Sequence, residues 1–182
     1  MRNFFVSFVE ILEVALIAVG TVFLIRSFLI QPFLVSGSSM VPNFSDGDYL
    51  LIDEFTYRFR EPQRGEVVVF RSPESGSTFF IKRIIGLPGE RVDIKSGKIF
   101  VVGKNKTEEF LLEEDYIPSD VLTKGGAGLE LGGGECFLLG DNRSYSFDSR
   151  SWGPLHRENI VGLVRLRLWP LGDFKAFAAP AY

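Results

Sequence analysis

The sequence predicts a mainly β, antiparallel domain of folded-barrel or sandwich type, preceded by one N-terminal transmembrane helix. Three observations carry this. Residues 11–30 read ILEVALIAVGTVFLIRSFLI, an apolar run of the length a membrane-spanning helix needs. After Pro32 the pattern changes to short β-rich runs divided by turn residues. Across 182 residues, 46% hydrophobic composition with 18 Phe suffices for one core plus an appendage.

Within the apolar run, Glu13 lies near the start and Arg26 near the end, each within reach of a headgroup region. A cleaved secretory signal and a buried globular helix are the competing readings. A cleaved signal needs a basic leading region and a small-x-small exit, whereas Glu10 and Glu13 precede this core and Phe28-Leu29-Ile30 follow it. A globular helix needs a polar face, and between Val14 and Ile25 only Gly20 and Thr21 interrupt the apolar character. A retained anchor fits better than either. Arg2 precedes the span and no Lys or Arg falls between Arg26 and Arg58, which favours an inside N-terminus. Residues 1–10 are then a short cytoplasmic N-terminus, 11–30 the anchor and 31–182 an extracytoplasmic β-domain.

The strand candidates follow in order: Tyr49 to Ile52, Glu66 to Phe70, Phe79 to Ile85, Lys98 to Val102, Cys136 to Leu139 and Ile160 to Leu168. Asp46-Gly47-Asp48, Arg64-Gly65, Leu87-Pro88-Gly89 and Ser96-Gly97 supply turns between them. The glycine-rich stretch from Lys124 to Glu135 lacks the Gly-Lys-Ser/Thr ending of a phosphate-binding loop and reads as a connection.

Composition excludes several function classes. A net charge of -3 with no zinc-knuckle, helix-turn-helix or Arg-rich segment argues against nucleic acid as a partner. The single Cys136 reads as a small apolar residue of a strand, and with the single His156 it makes neither a metal site nor a cofactor site. Acid–base chemistry must use something other than histidine.

Two residues stand out. In the segment LVSGSSMVPNF, from Leu34 to Phe44, three serines surround Gly37 ahead of Met40-Val41-Pro42. In the Phe79 to Gly86 strand, Lys82 shares a face with Phe80 and Ile84 while Arg83 points the other way. One reading is a lysine snorkelling at a strand edge. The other is a desolvated amine whose lowered pKa suits it to take a serine proton. A third segment, Gly140-Asp141-Asn142-Arg143 through Arg150, reads as a polar turn after a buried strand, with Asp148 and Arg150 two apart on one strand face and able to pair.

Taken in order, Ser39-Met40-Val41-Pro42-Asn43, Arg64 to Phe70, Lys82 to Glu90, and Gly140-Asp141-Asn142-Arg143 with Ser146, Asp148, Ser149 and Arg150 resemble bacterial type I signal peptidase. The resemblance runs from the anchor to about Trp169-Pro170. It implies a β-fold of signal-peptidase type with Ser39 as nucleophile and Lys82 as general base. Ser146 would orient the lysine, and Asp148 with Arg150 would form a supporting ion pair that Arg83 joins. It implies a membrane-bound serine endopeptidase working through an acyl-enzyme. Signal peptides of exported preproteins would be cut at the outer face of a bacterial cytoplasmic membrane, close to the export translocon and after small residues at the first and third positions before the bond. The oxyanion is expected on the Ser39 backbone N–H. Gly37 stands where many Gram-negative members place a second hydroxyl donor, which leaves that donor unassigned.

Departures from the family pattern are informative. The interval from Glu90 to Gly140 is short, so any second lobe is small and spans about Arg91 to Glu135. Asn43 replaces the Thr that commonly follows Met-x-Pro. Two rival readings are a self-cleaving repressor-type Ser-Lys peptidase and a non-catalytic membrane-anchored β binding domain. The first carries a DNA-binding head where this chain is apolar, and the second leaves the four ordered motifs without a reason.

Overall fold

The computed structural model describes residues 2–28, 30–105, 108–126 and 128–178, with side chains of the N-terminal helix described at Phe8 and at 10–22. In chain order the elements are helix α1 (Arg2–Phe28) and strands β1 (Ile30–Leu34), β2 (Tyr49–Asp53), β3 (Val67–Arg71), β4 (Phe79–Gly86) and β5 (Arg91–Lys95). Strands β6 (Lys98–Val102), β7 (Glu109–Leu111), β8 (Leu129–Glu130) and β9 (Glu135–Leu139) come next. The short helix α2 (Ser149–Trp152) is followed by β10 (Leu155–His156), β11 (Ile160–Trp169) and β12 (Lys175–Ala176).

The strands form two antiparallel sheets. The larger has the order β1-β2-β11-β3-β4-β9-β10 with β12 beside β11, and the smaller has the order β7-β6-β5-β8. The six predicted strands are all present. The smaller sheet lies within the interval expected for a second lobe, and the glycine-rich stretch read as pure connection contains β8.

The helix differs from the predicted 11–30 at both ends. It begins at Arg2, and Ile30 already belongs to β1, because Pro32 cannot continue a helix and is tolerated in a strand at a sheet edge. Ile11, Leu12, Val14 and Leu16 project from it exposed. Among the described residues no helix is long and apolar enough to cross a membrane. The side chains of Arg2 and Arg26, and all of Leu29, on which the expected span and orientation partly rest, lie outside the described residues.

Both faces of the larger sheet are covered, which is why β3 reads as an uninterrupted Val67-Val68-Val69-Phe70 rather than an alternation. Val67 and Val69 pack with Val35, Met40, Phe44, Leu50, Ile52 and Val164 on one face. Val68 and Phe70 pack with Ile84, Cys136, Leu138 and Leu155 on the other. A third cluster joins Ile85, Phe137 and Leu139 of the larger sheet to Val92, Ile99 and Val101 of the smaller, so the two sheets share a core.

Candidate active site

The segment after β1 is pinned by its own apolar residues. Met40 and Phe44 are buried in the core, and the Phe44 N–H donates to the Met40 carbonyl at 2.9 Å. Directly ahead of these anchors Ser39 is left half-buried on the wall of a cleft of about 110 Å³, lined by Phe33, Val35, Ser36, Leu50, Val69 and Phe79 to Lys82.

Lys82 reaches the same cleft from β4. It is 3% exposed and stands opposite Val68 of β3, so its amine does not reach out to solvent and the snorkelling reading fails. Its Nζ lies 2.7 Å from Ser39 Oγ and donates to the Ile81 carbonyl at 2.8 Å. Burial is the main influence on the amine and pushes its pKa down to about 8, against the opposing pull of the Asp148 and Asp141 carboxylates. Holding an ammonium there costs on the order of 3 kcal/mol below pH 8. Because the folded-state pKa is the lower one, that cost lifts as pH rises from about 8 toward 10.5.

The Gly140 turn holds the serine from behind. The Asn142 backbone N–H donates to the Ser39 carbonyl and its Nδ2 donates to the Ser38 carbonyl, both at 3.0 Å. At Gly140 an added Cβ would stand 2.4 Å from the Ser39 carbonyl oxygen and 2.1 Å from Ser146 Oγ. Gly140→Ala therefore displaces the serine backbone. The expected result is a loss of at least about tenfold in kcat for a reaction that uses the Ser39 hydroxyl.

Ser146 is thus brought beside Ser39 through Gly140. Its hydroxyl is buried and makes no well-formed hydrogen bond among the described residues, while the Lys82 amine is bonded to Ser39 and Ile81. Although no such bond has good geometry, Ser146 lies near enough to Asp148 to help lower that carboxyl. Burial alone would raise Asp148, but the Arg150 guanidinium and the Gly140 N–H outweigh it and hold the carboxyl below its usual range.

Asp148 and Arg150 do pair, at 2.7 Å through both carboxylate oxygens. The expected strand geometry is replaced by a helix terminus: Asp148 caps α2, accepts from the Arg150 N–H, and receives the guanidinium folded back over the first turn. Arg83, on the opposite face of β4 from Lys82, is bidentate on Asp141 at 2.8 and 2.7 Å and donates to the Gly65 carbonyl.

Sequence reasoning missed how much Asp141, Asn142 and Asn43 contribute. Asn43 Nδ2 donates to Asp141 and to the Tyr116 carbonyl, and the Arg83 guanidinium stacks 4.0 Å above the Tyr116 ring. The signal available was the Asp-Asn pair directly after a buried strand. Arg143 of the same turn is buried, held by Glu114 and Thr123 from the segment joining the strands of the smaller sheet.

His156 and Cys136 stand apart from this site. His156 is exposed on β10 beside Glu135, and Cys136 is fully buried, with its thiol pushed up to about 12 by burial. Among the described residues no cluster of three or more His, Cys, Asp or Glu is placed to hold a metal ion.

Comparison with known proteins agrees with the motif order. The family model described as signal peptidase, peptidase S26, matches residues 8–169. The chain is 36% identical over 169 residues to signal peptidase I P of Bacillus subtilis subsp. natto, covering 91% of each. It is 38% identical over 152 residues to the probable signal peptidase I-2 of Synechocystis sp., covering 81% of this chain and 66% of that protein, just under two thirds of its length. A crystal structure of a signal peptidase I from Enterococcus faecalis V583 aligns with a TM-score of 0.48 at 29% identity, covering 57% of this chain and 97% of that one. The chain belongs to the signal peptidase family, peptidase S26, and is a signal-peptide-cleaving hydrolase.

Proposed function

We propose that Ser39 and Lys82 form the catalytic dyad of a membrane-anchored endopeptidase that removes signal peptides from exported preproteins. The observation that carries this reading is the 2.7 Å approach of a desolvated lysine amine to a serine hydroxyl on the wall of a cleft. In the neutral form, the Lys82 lone pair takes the Ser39 hydroxyl proton as Oγ bonds to the scissile carbonyl carbon. Charge then builds on the carbonyl oxygen. The Ser39 N–H, which no described hydrogen bond uses, is the donor available to it. The Lys82 ammonium returns the proton to the leaving amine as the C–N bond breaks, leaving an acyl-enzyme. A water molecule deprotonated by the same amine hydrolyses that ester and restores both residues.

Ser146 serves the amine by offering its unpartnered hydroxyl oxygen, and Asp148 with Arg150 braces the turn that carries it. A cleft of about 110 Å³ suits small side chains at the first and third positions before the bond. Strand β4 from Phe79 to Lys82 is paired to β3 alone among the described ladders, so its other edge is open to an extended peptide.

The domain assignment follows. Residues 1–10 lie inside, the anchor runs from about 11 to the end of helix α1 at Phe28, and the β-domain from β1 onward works on the outer face of a bacterial cytoplasmic membrane near the translocon, with the lobe of about 91–135 attached. What supports an anchor is the apolar run of the sequence together with exposed Ile11, Leu12, Val14 and Leu16 on helix α1, 27 residues and about 40 Å long, although the described residues alone do not amount to a membrane span. Ser39 follows soon after the helix, which keeps the nucleophile near the surface where a signal peptide emerges.

The test is cleavage of a preprotein by the detergent-solubilised chain across a pH series. The rate is expected to rise with pH and level off above a midpoint near 8, because only the neutral amine is a base. A profile that rises only near 10.5, or that follows a histidine midpoint near 6.5, would overturn the dyad.

A further inference from the structure

The nucleophile loop has a second hold, far from the Gly140 turn. Gly37, two residues before Ser39, has φ +93 and donates its N–H to Asp46 Oδ1 at 2.7 Å. An added Cβ at Gly37 would meet nothing within 4 Å, so glycine is required by the backbone angle and not by crowding. The Asp46 side chain is exposed, yet its backbone is fixed. Val35 and the Ser45–Asp48 turn exchange bonds, with Val35 N–H to the Asp48 carbonyl at 2.9 Å and Gly47 N–H to the Val35 carbonyl at 3.0 Å. Asp48 is in turn held by the Ser45 N–H and by Arg167 of β11, each at 2.9 Å.

From this geometry we infer that Asp46 is a positioning residue for Ser39, holding Gly37 in the left-handed conformation that turns Ser39 toward Lys82. The inference rests on the dyad reading above. It also settles what Gly37 does. Its amide is committed to a carboxylate, so this position supplies neither a hydroxyl nor an N–H to the oxyanion, and its contribution is the direction of the chain. Asp46 touches neither substrate nor the reacting atoms in this scheme. Its effect travels through one hydrogen bond to the segment ahead of the nucleophile, and a misplacement of the order of 1 Å is enough to lower the chemical step steeply.

The experiment compares the full chain with Asp46→Ala, Asp46→Asn and Ser39→Ala on a preprotein with Ala at the first and third positions before the bond. Asp46→Ala is expected to lower kcat about tenfold or more with KM within about twofold and the pH midpoint unmoved. Asp46→Asn, which keeps an acceptor oxygen, is expected to stay within about threefold of the parent. Thermal melting is followed in parallel. Parent-like kcat in Asp46→Ala, a change confined to KM, a shifted pH midpoint, or an Asn variant as impaired as the Ala variant would each overturn the positioning role. Activity surviving in Ser39→Ala would instead overturn the dyad, whatever the Asp46 variants do.

Discussion

Ser39→Ala is expected to lower preprotein cleavage by about ten-thousandfold or more, leaving only what binding and the remaining hydrogen-bond donors supply. The hydroxyl is the atom that bonds to substrate in the proposed scheme, and nothing within the described cleft replaces it: the lining offers Ser36 and Lys82 as its other polar side chains. Lys82→Met is expected to lower the rate by about a thousandfold, since general-base catalysis of this kind contributes roughly 10² to 10⁴. Stability should respond in the opposite sense. At pH 7 the parent holds an amine 3% exposed and largely protonated, at a cost on the order of 3 kcal/mol, whereas methionine fills the same space without charge. The Met variant should therefore melt no lower than the parent at pH 7, and any advantage should shrink above pH 8. A Lys82→Met chain that cleaves at the parent rate would sink the assignment. One that is inactive because it has unfolded would show a melting point well below the parent.

Arg83→Met carries the largest expected cost in stability. Its guanidinium meets Asp141 through two hydrogen bonds, with side-chain exposures of 7% and 0%. Removing the arginine leaves the carboxylate buried with Asn43 Nδ2 still bonded to it, a situation that typically costs about 3–5 kcal/mol. Replacing both members, as Arg83→Met with Asp141→Leu, should cost less than the single change, because the buried charge goes with its partner. Urea unfolding of the two variants beside the parent measures both quantities. A single variant as stable as the parent would show that this pair does not help hold the sheet to the Gly140 turn.

How much of this was legible in the sequence varies with the range of the interaction. Lys82 and Ile84 share a face because a strand repeats every two residues, so the buried amine follows from a local pattern. Ser39 was marked by its neighbours Met40 and Pro42. The pairing of Arg83 with Asp141 spans 58 positions and the bond from Asn142 to Ser38 spans 104, and no local periodicity reports contacts of that range. Helix α2 has four residues, too few to show a helical repeat, so Asp148 and Arg150 were read as strand neighbours. Strand β5, Arg-Val-Asp-Ile-Lys, alternates with charges and depends on β6 and β8 for its place. Strand β1 was absorbed into the apolar run before it, because Ile30 continues the helix's character while Pro32 changes its backbone.

The smaller sheet also bears on the chemistry. Arg143 roots the Gly140 turn in Glu114 and Thr123, and Asn43 ties the end of the Ser39 loop to the Tyr116 carbonyl. Ordering that loop therefore happens when the domain folds and is not repeated at each encounter with a preprotein. The entropy of fixing Ser39 against Lys82 is charged to the folding equilibrium, so a lobe that touches no substrate in the proposed scheme still lowers the barrier by keeping the loop from wandering.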